Sequence, residues 1–159
     1  MTQVEIGDMI DMVGSRFQVV ARMGGGENDT ALLRTSMAPG RIVPLHSHAD
    51  PECFYLLEGS LEVFVVDDAP GWRAVNAGES LLLAGGVKHA VRNAASATAD
   101  IVLATNNRFA RFLIEAGRRV AADAPFVPPT PDDIERLLRV SASYGYCNAT
   151  PAESAAVTG

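Results

Sequence analysis

The chain holds three histidines, and each stands where it could serve chemistry: His46, His48 and His89. His46 and His48 are separated by a single serine, in the run Leu45-His46-Ser47-His48. On a strand, side chains two apart point to the same face. Glu52 follows shortly after, past a break at Asp50-Pro51, and His89 comes much later. Three imidazoles and a carboxylate are a borderline donor set that accepts Fe, Mn, Ni, Co, Cu or Zn as a divalent ion. Without a thiolate among the candidates, a closed structural zinc site is disfavoured. Four protein ligands would leave one or two octahedral positions open for water, substrate or dioxygen. An H-x-H pair by itself reads equally as polar decoration of a strand, so the surrounding elements must decide.

Those elements are β-type from Phe17 to about Asn106. Short runs rich in Val, Leu, Phe and Thr predict strands near Phe17–Ala21, Ala31–Met37, Ile42–His48, Cys53–Leu57, Leu61–Val66, Trp72–Val75, Ser80–Leu83, His89–Arg92 and Ile101–Thr105. Turn residues separate them, including Pro39-Gly40, Glu58-Gly59, Ala77-Gly78 and Gly85-Gly86. Many short strands at this spacing predict a sandwich, jelly roll or small barrel. Residues 1 to about 15 are mixed and acidic and read as a short arm. After Asn106 the period changes. Phe109, Phe112, Leu113 and Ala116 share one helical face that ends near Gly117. A proline-rich connector leads to a second helix opening at Thr130-Pro131, with Asp133 completing a capping box. Its predicted face is Ile134, Leu137, Leu138 and Ser141, with Gly145 as cap, and Thr150 to Gly159 read as a frayed tail. The expected organisation is an arm and β-barrel over 1–106 and a helical extension packed on the same domain over 107–159.

Composition narrows the function classes. The 159 residues suit one domain, with 48% hydrophobic and 20% charged residues. The net charge of −6 disfavours a nucleic-acid binder, which needs a basic footprint. No apolar run reaches the ~20 residues that span a bilayer. Glu5, Asp8 and Asp11 are unlike the basic start of a secretory signal, and two distant cysteines, Cys53 and Cys147, make no disulfide framework. A cytoplasmic location is expected.

The histidines sit in two spaced runs. Gly40 to Gly59 reads G-x5-H-x-H-x3-E-x6-G, and Gly78 to Asn93 reads G-x7-G-x2-H-x3-N. These runs resemble the two motifs of the cupin superfamily, departing only at Ala84, where the second motif usually carries proline. The resemblance implies a mainly β cupin-type barrel, a double-stranded jelly roll with two C-terminal helices. It also implies one divalent transition metal ion held by His46, His48, Glu52 and His89. If Glu52 faces inward, Phe54 and Leu56 share its side and Val91 shares that of His89, making them candidate pocket residues, while Cys53 and Tyr55 point away. The helical tail with Tyr144-Gly145-Tyr146 is similar to that of short quercetin-dioxygenase-like monocupins. That implies a metal-dependent dioxygenase acting on an aromatic or enolic small molecule, flavonol-like or polyketide-like, in natural-product metabolism. Glu52 would be the catalytic base.

Two other readings keep the site. A non-redox cyclase, isomerase, dehydratase or lyase would use the ion to polarise a carbonyl, and a small-molecule sensor would not turn over at all. Small cupins usually pair, so a two-fold homodimer is expected, using the N-terminal strands and part of a helix. Arg108, Arg111, Arg118 and Arg119 read as the solvated side of the first helix, Lys88 as a rim charge, and Cys147 carries no assignment.

Overall fold

A computed structural model describes residues 3–125 and 127–158. Its strands run in the order β1 (Met9–Met12), β2 (Ser15–Arg22), β3 (Thr30–Met37), β4 (Ile42–Ser47), β5 (Glu52–Glu58), β6 (Ser60–Val66), β7 (Gly71–Asn76), β8 (Ser80–Leu83), β9 (Lys88–Arg92) and β10 (Ala99–Asn106). All nine predicted strands form, and the acidic arm adds a tenth, β1, paired antiparallel to β2. Alternation builds the core. On β3, Ala31, Leu33, Thr35 and Met37 are buried while Arg34 and Ser36 are exposed or half-buried. On β6, Leu61, Val63 and Val65 are buried in the same way. A strand with one buried face of this kind belongs to an antiparallel sheet wet on one side. Two such sheets pack as a jelly-roll-like sandwich, and their inner faces supply the core, with Val19, Leu33, Leu56, Leu61, Val63 and Leu103 at its centre.

After Asn106 the chain adds helices and also strands. The Asn106 side chain accepts from the Phe109 N–H and starts α1 (Asn107–Ala116), and the four residues of its predicted face are all buried. Next, β11 (Arg118–Val120) pairs with β1, so the order in the larger sheet is β11-β1-β2-β3-β10-β5-β8. The second helix, α2 (Pro131–Ser143), has the predicted capping box and proline start. Its buried face overlaps the predicted one only in part: Ser141 is buried and Leu137 packs on the core. Ile134 and Leu138 are 42% and 52% exposed, whereas Asp133, Val140 and Ser141 are buried. Polar contacts hold this side of the helix toward the protein: Asp133 pairs with Arg118 at 3.6 Å, and Arg136, itself paired with Asp133 along the helix, donates to the Ala116 carbonyl at 3.0 Å.

The chain then forms β12 (Cys147–Asn148) on β4, giving the smaller sheet the order β12-β4-β9-β6-β7. A third helix, α3 (Pro151–Thr158), replaces the expected frayed tail up to Thr158, Gly159 lying outside the described residues. Thr150 and Glu153 cap it reciprocally. The basic cluster is not a solvated face either. Arg111 pairs with Glu27, and Arg118 and Arg119 lie on β11 and pair with Asp11 and Asp8. No described helix is long and apolar enough to cross a membrane.

Candidate metal centre

The four candidate ligands come from both sheets. His46 is on β4 and sits opposite His89 on β9, while Glu52 opens β5 in the larger sheet and His48 lies in the connection between β4 and β5. Pro44 falls at the irregularity between Val43 and His46, where a missing N–H costs the ladder nothing. Across the site, the turn before β9 packs on His48. The Gly86 N–H donates to the His48 carbonyl at 2.7 Å, and a Cβ on Gly85 would lie 2.0 Å from the Ala49 carbonyl oxygen. Only glycine permits that approach.

The one ligand-bearing nitrogen or oxygen of each residue lies within 4.8 Å of all the others. All three imidazoles are oriented in the same way. Nδ1 of His46 faces the Pro44 carbonyl at 2.7 Å, that of His48 the Asp50 carbonyl at 3.0 Å, and that of His89 the Val87 carbonyl at 2.8 Å. A carbonyl accepts only, so each Nδ1 carries the proton and each Nε2 is left with a lone pair. His48 Nε2 and His89 Nε2 lie 3.3 Å and 2.9 Å from Glu52 Oε2. These three atoms are buried and lack a hydrogen-bond partner. Converging buried lone pairs repel one another unless a cation or an extra proton lies among them. The donor set therefore fits a divalent metal ion, with the tautomer that metal binding requires already fixed by backbone carbonyls.

In the absence of a cation, protons on the imidazoles take its place. Burial opposes ionisation of Glu52, but the His48 and His89 imidazoles outweigh it and hold the carboxyl well below the usual range. Burial lowers His89, and Glu52 more than offsets this to leave it raised. His46, with one edge open to the cavity, is pushed down to about 4 by burial and by the neighbouring His89.

The cluster opens onto a cavity of about 400 Å³. Phe54 and Val91 line it, together with Phe17, Phe109 and Phe112. Leu56 does not: it is fully buried in the core behind the wall. Cys53 and Tyr55 point away as expected, Tyr55 being exposed. Residues of the C-terminal segment reach the same space, including Leu137, Leu138, Ser141 and Tyr146. Tyr146 is placed by the end of α2. Its N–H donates to the Ser141 carbonyl and that of Gly145 to the Ala142 carbonyl, with Gly145 at φ +71°. This is a Schellman motif, which glycine enables. The Tyr146 ring lies 5.0 Å from that of His48 and its hydroxyl donates to Asp50. Burial, then that hydrogen bond, push the phenol well above its ordinary pKa and keep it protonated. Asp50, Arg108 and Tyr146 had no signal as site residues, because nothing local in the sequence brings them together.

A family model described as "Cupin domain" matches residues 33–105. No curated protein matches the chain. Among solved structures, a Cupin 2 conserved barrel domain protein from Salinispora arenicola CNS-205 is 20% identical, with a TM-score of 0.49, over 64% of this chain and 83% of its own. A conserved double-stranded beta-helix protein from Klebsiella pneumoniae is 17% identical, with a TM-score of 0.48, over 68% and 84%. The protein TT1209 from Thermus thermophilus is 22% identical, with a TM-score of 0.44, over 54% and 81%. All four members of the metal-competent cluster fall within the span 33–105 that matches this family model.

Proposed function

We propose that the protein is a metal-dependent cupin enzyme that dioxygenates an aromatic or enolic small molecule, flavonol-like or polyketide-like. One observation carries the reading: four converging ligand atoms open directly onto a cavity of about 400 Å³ walled largely by apolar and aromatic side chains. A flat apolar substrate would gain roughly 25 cal/mol for each Å² of apolar surface removed from water there. His46, His48, Glu52 and His89 would hold the ion. A divalent transition ion would act as a Lewis acid toward an enol or phenol oxygen and, if redox-active, support oxygen chemistry.

The chain's own side chains do the rest. Glu52, buried and anionic, is the carboxylate at the site and would accept a hydrogen bond from the substrate's hydroxyl. Held well below the usual range it is a weak base, so taking the proton also requires the hydroxyl to be acidified by the ion. Phe54, Val91 and Phe109 would pack on the substrate and exclude water from the reacting face. Arg41, on the cavity wall and bonded to the Val13 carbonyl, would face an anionic or carbonyl group of the substrate. A cytoplasmic homodimer completes the proposal, and light scattering that returns the monomer mass would remove the dimer.

Elemental analysis of the purified protein and oxygen uptake with a flavonol and a polyketide phenol test the reading. A bound transition metal with substrate-dependent oxygen consumption is expected. Turnover without oxygen uptake would replace dioxygenation by a non-redox reaction, and binding without turnover would make the protein a sensor.

A further inference from the structure

We propose that Asp50, Arg108 and Tyr146 are positioning residues for His48, so that the C-terminal segment sets ligand geometry as well as walling the cavity. The inference rests on the metal-site reading above. Asp50 has two roles at once. Its buried carboxylate oxygen Oδ2 accepts from Arg108 Nη1 at 2.8 Å and from the Tyr146 hydroxyl. Its main-chain carbonyl accepts from Nδ1 of His48. Two donors from beyond Asn106 therefore fix the residue that decides which His48 nitrogen is protonated and where Nε2 points.

The rest of the unit is built around the same group. A second Arg108 nitrogen donates to the Tyr144 carbonyl, and the guanidinium lies 5.2 Å and 5.4 Å from the Tyr144 and Tyr146 ring centroids. The His48 ring is flanked by Tyr146 at 5.0 Å and Phe109 at 5.1 Å. His46 and His89 have no such link: their Nδ1 partners are likewise two residues away, but Pro44 and Val87 carry apolar side chains that no distant donor can hold. If the segment only braced the barrel, apolar contacts would suffice, and Phe109, Phe112 and Leu113 already supply them. A buried carboxylate paired with a half-buried guanidinium is a poor way to gain stability compared with apolar packing, and registering a neighbouring group is the better-attested use of such a pair. Arg108 and Tyr146 also fall outside the span 33–105 that matches the cupin domain.

The test uses the full chain with Tyr146→Phe, Asp50→Asn and the pair Arg108→Met and Arg108→Lys. Cobalt(II) is the probe. Three quantities are read: cobalt(II) affinity, the His48 Nδ1–H imidazole resonance of metal-free protein, and the metal-free thermal midpoint. Tyr146→Phe and Asp50→Asn are expected to weaken cobalt(II) binding about 10–100-fold and to shift or broaden the His48 resonance. Arg108→Lys should recover part of what Arg108→Met loses. Unchanged affinity and an unchanged resonance in both Tyr146→Phe and Asp50→Asn would overturn the proposal, whatever the thermal midpoint does. If the wild type binds no cobalt(II) or other transition ion, the metal reading fails, and the resonance alone still decides whether these residues position His48.

Discussion

The cavity has two walls built on different principles. The barrel wall carries the ligands, and nearly every constraint on it is short-range in sequence: strand alternation aims the side chains, and carbonyls two residues away orient all three imidazoles. The C-terminal wall is apolar and is assembled by contacts across the chain, such as Arg108 to Asp50 and Tyr146 to Asp50. The barrel wall decides what can bind at the centre, and the C-terminal wall decides the shape and dryness of the space around it.

The largest expected effect separates binding from stability on the barrel wall. Glu52→Gln removes the anionic ligand but supplies an amide N–H to the lone pairs of His48 and His89. Metal affinity should fall by more than the about 10–100-fold of an outer-shell change, while the metal-free thermal midpoint does not drop. Titration calorimetry with cobalt(II) and a thermal melt read the two. A parallel fall in the midpoint would show that the cluster is held together without a cation.

On the other wall, Phe112→Ala should cost about 3–5 kcal/mol, because the ring is buried against Phe109, Tyr144 and Tyr146. Urea unfolding measures it. A loss below about 1 kcal/mol would mean that the C-terminal segment is not tightly packed on the barrel.

Back on the barrel, in the turn between β8 and β9, lies Gly85, where an added Cβ meets backbone rather than a yielding side chain. Gly85→Ala should destabilise by about 1–3 kcal/mol and also weaken metal binding, since it displaces the main chain next to His48. Loss of stability with unchanged affinity would detach this turn from ligand placement.

The smallest effect tests α2. Ile134→Ser should change stability by no more than about 0.5 kcal/mol, because this residue of the predicted apolar face is exposed. A cost above about 1.5 kcal/mol would indicate that a partner covers it.

The legibility of the molecule follows the same division. The nine central strands, the face of α1 and the cap of α2 were readable, because period and capping chemistry are encoded within a few residues. Even the missed α3 carried a local sign, Thr150-Pro151-Ala152-Glu153, which has the capping-box pattern with proline at the first helical position. The rotation of α2 had none, since it depends on Arg118 meeting Asp133 and on Arg136 reaching the Ala116 carbonyl. Leu56 was placed on the correct face of β5, but alternation cannot tell a cavity wall from the packed core beyond it.

By itself, then, the order of residues determined the short strands of an all-β sandwich, jelly roll or barrel and marked four side chains as candidate ligands. A strand's alternation and a turn's glycine act over two or three neighbours and need no distant partner. Only the tertiary structure decided that β11 and β12 complete the two sheets, that α2 turns Asp133 inward, and that Asp50, Arg108 and Tyr146 meet behind His48. Those outcomes are set by competition among long-range packing, ion pairing and desolvation, which no window of the sequence contains.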